Sequence, residues 1–236
     1  MDKSQFSGDS KPIISNQNGI HEKLEQVVCK HFEHAFKKPY QVHNQQAFEA
    51  INEKVKIFLQ ASPQRKIILD ACCGVGQSTR ILAQKNPHTL VIGVDKSADR
   101  LDRNVEELQC DDGIGQVNNF CLVRADLNDF YRLVNNANWP ISKHYVLYPN
   151  PWPKSKHLQR RWHGSAVFPQ MLKIGEKIIL RSNWQTYLEE FQAALLLTGI
   201  ASELTKVNQS EQALTPFEAK YQVSGQQCWQ LIALLR

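Results

Sequence analysis

The sequence predicts an α/β fold: a doubly wound, mostly parallel sheet with an antiparallel C-terminal strand pair and a helical N-terminal extension. Three observations predict it. After Pro63, short apolar runs alternate with amphipathic stretches, the texture of repeated βα units. The first two runs each end in an acid, Asp70 and Asp95, and a glycine turn opening a helix follows the first. The last two runs, 201–207 and 227–235, show no helical pattern between them, which predicts antiparallel pairing.

Residues 1–19 are rich in Ser, Asn, Gln, Asp and Gly, and their lack of apolar periodicity predicts a disordered tail. Residues 20–62 form the helical extension. One stripe runs through Ile20, Leu24, Val27, Val28, Phe32 and Phe36 and stops before Pro39. A second, through Phe48, Ile51, Val55, Phe58 and Leu59, stops before Pro63. Residues 63–236 carry the α/β domain. Its strands are expected at 66–70, 89–95, 120–123, 144–148 and 177–180, with helices near 98–109, 127–136, 156–172 and 185–197.

The chain has 236 residues, enough for one large domain with a substantial core, and is 42% hydrophobic and 22% charged, as in ordinary globular proteins. Mean hydropathy is −0.43, and no apolar run approaches the roughly 18 residues of a membrane span. Met1–Phe6 leads into polar sequence without an apolar signal region, so a cytoplasmic protein, not bound to membranes, is expected. The six cysteines never form C-x-x-C, which argues against a disulfide framework or a cysteine-rich zinc site. Cys29, His31 and His34 fall on one expected helix but have no fourth ligand, and no metal is expected. Net charge is 28 − 23 = +5, which permits an anionic partner such as nucleic acid. The sequence leaves monomer and homodimer open.

Around the first βα junction stands Leu69-Asp70-Ala71-Cys72-Cys73-Gly74-Val75-Gly76-Gln77-Ser78-Thr79. A dinucleotide fingerprint G-x-G-x-x-G would need glycine where Thr79 stands, so pyrophosphate binding is disfavoured. S-adenosylmethionine carries no phosphate; it requires the tight turn and nearby acids. Asp95 can accept from both ribose hydroxyls, and Asp126 follows the third strand. The stretch resembles the first motif of the class I, Rossmann-like methyltransferases, D/E-x-G-x-G-x-G, with Cys72 in place of the first glycine. Cysteine takes positive φ only at a cost, so an ordinary backbone conformation is expected at Cys72. The resemblance implies cofactor contacts from Asp70, Cys72, Gly74, Gly76, Asp95 and Asp126.

After the fourth strand comes Tyr148-Pro149-Asn150-Pro151-Trp152-Pro153-Lys154-Ser155-Lys156-His157-Leu158-Gln159-Arg160-Arg161. Three prolines stiffen the loop, and four cations, Lys154, Lys156, Arg160 and Arg161, lie within eight residues, a pattern suited to nucleic-acid phosphates. The segment resembles the P-D-P-W-x-K…R-H-x-K-R-R signature of the bacterial tRNA (guanine-N7-)-methyltransferases. Arg181-Ser182-Asn183-Trp184-Gln185-Thr186-Tyr187 is similar to that family's T-D-W-x-x-Y segment, and Thr215-Pro216-Phe217-Glu218-Ala219-Lys220 to its T-x-F-E-x-[KR] segment. The similarity covers residue 66 to the end.

The resemblance implies a methyltransferase acting on guanine N7 in the variable loop of tRNA, position 46. It places Asn150 on the cofactor side, and Lys154, Asn183, Thr215 and Glu218 on the substrate, with Lys156 to Arg161 along the RNA. Asn150 and Asn183 occupy the catalytic positions, where the family has aspartate. An asparagine offers one acceptor, a donor and only a dipole to a base that becomes cationic. Asn150-Pro151-Trp152 is also similar to the N-P-P-Y/F/W loop of enzymes that methylate exocyclic amines. Two alternatives therefore stand beside guanine N7: an RNA methyltransferase retargeted to another base or amine, and an RNA-binding paralogue without catalysis.

Overall fold

The computed structural model describes residues 8–62, 64–107 and 119–235. The elements run α1 (Leu24–Glu33), α2 (Val42–Gln60), β1 (Ile67–Ala71), α3 (Gln77–Lys85), β2 (Leu90–Asp95), α4 (Ala98–Glu107), β3 (Phe120–Arg124), α5 (Leu127–Asn136) and β4 (Ile141–Leu147). They continue with two 3-10 turns (Ser155–Arg160 and Trp162–Gly164), α6 (Phe168–Met171), β5 (Lys177–Ser182), α7 (Gln185–Leu196), β6 (Ser202–Lys206), α8 (Pro216–Val223) and β7 (Trp229–Leu234). The seven strands form one sheet in the order β3-β2-β1-β4-β5-β7-β6. β1 pairs in parallel with β2 and β4, β2 with β3, and β6 and β7 are antiparallel. The chain winds outward from β1 through β2 and β3, then restarts at β4 on the other side of β1, so β1 and β4 flank the switch point.

By internal contact the chain divides into two interleaved units. The β1 unit comprises Lys38–Val146 and Lys173–Lys177. Every residue of β1 and of β2 is buried, as expected of parallel strands covered on both faces. α2 and α5 join through an aromatic cluster. Phe48 stacks on Trp139 with centroids 5.1 Å apart, and Phe130 meets both rings edge-on. Buried Asn44 adds a polar lock: it donates to Asp129 Oδ2 (2.6 Å) and accepts from the Asp126 amide (3.0 Å).

The β5 unit comprises the chain up to Lys37 with Leu147–Leu172 and Ile178–Leu235. α1 turns Leu24 and Val28 inward, and Phe32 meets Phe168 edge-on, which in turn meets Phe191 of α7. The two helices of the N-terminal extension thus belong to different units.

Three expectations need correction. The stretch 156–172 is two 3-10 turns and a single turn of α-helix, a path that brings Gly164 against the Leu158 carbonyl, where an added Cβ would come within 2.2 Å of the oxygen. α8 lies between the last two strands; Thr215 caps it by accepting from the Glu218 amide (3.0 Å), with Pro216 in its first turn. Residues 8–19 contain no helix or strand yet are not a free tail, since Ser15 and Gln17 form specific hydrogen bonds described below. Residues 1–7 of the expected tail, the end of the 98–109 helix and Cys110 lie outside the described residues.

Candidate functional site

Two loop regions carry the candidate chemistry, one in each unit. In the β1 unit the glycine turn follows β1. Gly76, at φ 78°, caps α3, and a Cβ there would press on the Leu122 side chain at 2.8 Å. Cys72 has φ 61°, beside Gly74 at φ 60°. The expectation of an ordinary backbone at Cys72 is therefore overturned. The turn keeps a glycine-like path, and Cys72 bears a left-handed conformation worth about 1–2 kcal/mol of strain.

Asp70 is fully buried. Its Oδ2 accepts from Ser78 Oγ (2.6 Å) and Thr79 Oγ1 (2.7 Å), while Oδ1 has no partner. Burial pushes its carboxyl up to about 6, against the two hydroxyl bonds. Asp95, at the end of β2, accepts from the Gly74 amide (3.0 Å) and the Ser97 amide (2.9 Å), with Arg100 Nη1 3.6 Å away. These donors tie the second acid to the glycine turn and aim it. Asp126 caps α5, accepting from the backbone and side-chain nitrogens of Asn128. Asn44 on α2 braces it from behind, a role the sequence did not announce. A buried polar residue on an otherwise apolar helix face was the available signal.

The β5 unit holds the other region, the Tyr148–Trp162 loop. Tyr148 and Trp152 have φ 49° and 47°, two non-glycine residues in the left-handed region within five positions. Exposed Asn150 folds an Asx turn, accepting from the Trp152 amide (3.3 Å). Lys154, Lys156 and Arg160 are exposed, and the Arg160 guanidinium lies 4.7 Å over the Trp152 ring. Arg161 departs from expectation: it is fully buried and offers nothing to RNA. It donates to the carbonyls of Trp152 and Lys154, to Gln17 Oε1 and to Glu190 Oε2.

Glu190 of α7, equally buried, also accepts from His163 Nε2 (3.0 Å), Gln17 Nε2 (2.7 Å) and the His21 amide (3.0 Å). Burial opposes its charge, but His163, Arg161 and Gln17 outweigh burial and hold the carboxyl down at about 2. Glu190 is legible only as an acid on the apolar face of a helix, beside Phe191 and one turn from Tyr187 and Ala194.

The remaining expected substrate residues are mostly turned inward. Asn183 is half-buried and donates to Gln226 Oε1 (3.0 Å). Glu218 is fully buried, accepting from Arg181 Nη1 (2.7 Å) and the Leu214 amide (3.3 Å). Thr215 is buried as the α8 cap. Of that segment, Pro216, Phe217 and Lys220 face outward, and Phe217, 49% exposed, stacks with Tyr221, which also meets Tyr148. Among the described residues no group of three or more His, Cys, Asp or Glu could hold a metal ion, and no helix is long and apolar enough to cross a membrane.

A doubly wound sheet with an acid-flanked glycine turn at its switch point defines a class I, Rossmann-like methyltransferase, and solved structures share the fold. An antibiotic-related methyltransferase superposes with a TM-score of 0.58 at 12% identity, covering 84% of this chain and 95% of the other. A mutant form of the 16S rRNA (adenine(1408)-N(1))-methyltransferase from Catenulisporales acidiphilia, with its cosubstrate, gives 0.55 at 13% identity, over 76% and 90%. The chain belongs to the methyltransferase family Methyltransf_4, whose profile matches residues 64–231. Curated relatives include the tRNA (guanine-N(7)-)-methyltransferases of Alkaliphilus oremlandii, 25% identical over 72% of this chain and 82% of the relative, and of Treponema pallidum subsp. pallidum, 22% identical over 76% and 71%. That of Mycoplasma genitalium is 21% identical over 67% and 79%. The protein is an enzyme that uses S-adenosylmethionine as its methyl donor.

Proposed function

We propose that this methyltransferase acts on tRNA, at guanine N7 in the variable loop, position 46. The observation that carries the reading is the Tyr148–Trp162 loop, which projects Lys154, Lys156 and Arg160 outward from a backbone held rigid by a buried cation. Its supports are the guanine-N7 relatives named above and the three segments similar to theirs.

The donor residues are those of the β1 unit. Asp95, already aimed by two amides, keeps lone pairs for ribose hydroxyls, and Asp70 keeps one oxygen without a protein partner. An orphaned buried acceptor beside a glycine turn fits a cationic, hydroxyl-bearing ligand. S-adenosylmethionine, when bound, supplies an electrophilic methyl on a sulfonium. N7 of guanine carries an in-plane lone pair, so no proton need be removed before attack and no general base is required. The protein's task is alignment, together with stabilisation of the cation forming on the base.

In the β5 unit, Lys154, Lys156 and Arg160 hold phosphates, and Phe217 offers a face on which an unstacked base can rest. Asn150 and Asn183 supply amide oxygens toward the base, dipoles where carboxylates would be stronger. Arg161, Glu218 and Thr215 serve by shaping these segments.

The test is methyl transfer from labelled S-adenosylmethionine to an unmodified tRNA. Replacing the variable-loop guanosine with 7-deazaguanosine, which lacks the accepting nitrogen, abolishes labelling on this reading. Persistent labelling places the methyl group elsewhere and favours a retargeted enzyme.

A further inference from the structure

Arg161 has five N–H donors, and all five are used. Nε and one Nη2 hydrogen go to the Trp152 carbonyl, the other Nη2 hydrogen to the Lys154 carbonyl, and Nη1 to Gln17 and Glu190. Glu190 likewise fills four acceptor positions, from Arg161, His163, Gln17 and the His21 amide. One side chain appears on both counts. The Gln17 carboxamide accepts from the cation and donates to the anion, supplying the fifth bond of one and the fourth of the other.

Its neighbours reach the same loop from outside. Ser15 Oγ donates to the Pro153 carbonyl (2.6 Å), and Asn16 Oδ1 accepts from the Ser155 amide (2.9 Å). His21 Nδ1 accepts from the Lys23 amide, so its other ring nitrogen carries the proton and donates to Ser155 Oγ (3.1 Å). The carbonyls of residues 152, 153 and 154 and the amide of 155 are thereby all engaged, and Trp152 is held in its left-handed conformation.

We propose that Ser15–His21 is a clasp that fixes the Trp152–Arg160 loop in the form that receives RNA, with Gln17 as its central positioning residue. The clasp touches no substrate. It spends the loop's backbone polar groups on protein partners, leaving Lys154, Lys156 and Arg160 as the outward charges. The proposal rests on the RNA-side reading above, so its test needs one readout independent of RNA.

In the full-length protein, Gln17→Ala is compared with the natural sequence by hydrogen exchange and by steady-state methylation of tRNA. Exchange of the Ser155–Arg160 amides is expected to rise at least about tenfold, since a buried donor and acceptor lose their shared partner. The KM for tRNA is expected to rise about tenfold, with kcat changed less than about threefold and donor affinity within about twofold. Asn16→Ala, which removes one bond from an exposed side chain, moves exchange and KM in the same direction by a smaller factor and covers the case of a Gln17→Ala chain that does not fold.

Unchanged loop exchange in both variants overturns the clasp. Faster loop exchange with an unchanged KM overturns its positioning role, as does a KM that moves only in step with donor affinity. If the natural protein binds no tRNA, the functional reading and the positioning role both fail, while exchange still decides whether the segment holds the loop.

Discussion

Two buried carboxylates, one in each unit, are treated in opposite ways. Asp70, beside the glycine turn, has two hydroxyl partners, one orphan oxygen and a carboxyl pushed up to about 6. Glu190, behind the basic loop, has four donors including a guanidinium and is held down at about 2. Both loops contain left-handed non-glycine residues, Cys72 in one and Tyr148 and Trp152 in the other. The difference lies in spare capacity. The glycine turn leaves one oxygen of its acid without a protein partner. Glu190, the carbonyls of residues 152–154 and the Ser155 amide all have protein partners, so what the loop presents outward is side-chain charge on a fixed backbone.

The largest effect that could break this contrast comes from Glu190→Ala. Removing one partner of a fully buried pair leaves a guanidinium short of acceptors and should cost about 3–5 kcal/mol in urea unfolding. A loss under about 1 kcal/mol would show that the loop's support lies elsewhere.

Asp70→Asn should act in the other direction. The natural Asp70 rises from 3.8 unfolded to about 6 folded, so its charge destabilises the fold above pH 6, and the penalty disappears as pH falls through 6 toward 3.8. The shift corresponds to about 3 kcal/mol at most. Asp70→Asn should therefore be more stable than the natural chain at pH 7, lose that advantage near pH 4, and bind S-adenosylmethionine poorly. Glu190 has the mirror profile: its contribution is complete above pH 4.5 and is lost as pH falls toward 2. Melting curves across pH 3–8 separate the two.

Asp95→Ala should weaken S-adenosylmethionine binding by about 1.5 kcal/mol or more in calorimetry, the worth of a charge-assisted hydrogen bond. Asn150→Asp should raise the methylation rate about tenfold (~1.4 kcal/mol), because a carboxylate in that exposed Asx turn still accepts from the Trp152 amide and adds negative charge. Asn183→Asp should gain less, since it loses its bond to Gln226. A fall in rate at Asn150 would contradict the electrostatic reading of these positions. Smallest per site are Lys154→Ala, Lys156→Ala and Arg160→Ala, each expected to flatten the log–log salt dependence of tRNA binding by about 0.7–0.9.

The central βα alternation, the acids ending β1 and β2 and the antiparallel final pair were legible because periodicity and strand-end chemistry are local. The 3-10 path of 155–164 was not, because a basic run with helix-like spacing conceals the close approach of Gly164 to the Leu158 carbonyl. α8 is hidden although its start signal is present: Thr215 and Glu218 match a family substrate segment, and the same Thr-x-x-Glu spacing is a helix cap. Arg161 illustrates the general difficulty. In sequence it is one of four equivalent cations, and only the partners brought by Gln17 and Glu190, from 144 and 29 positions away, make it interior.

The most direct measurement is nucleoside mass spectrometry of tRNA from cells with and without this protein. 7-Methylguanosine is expected to disappear from the variable loop when the protein is removed, to return with the natural gene and to return less fully with the Asp95→Ala form. Unchanged 7-methylguanosine, or loss of a different methylated nucleoside in its place, would contradict the guanine-N7 reading.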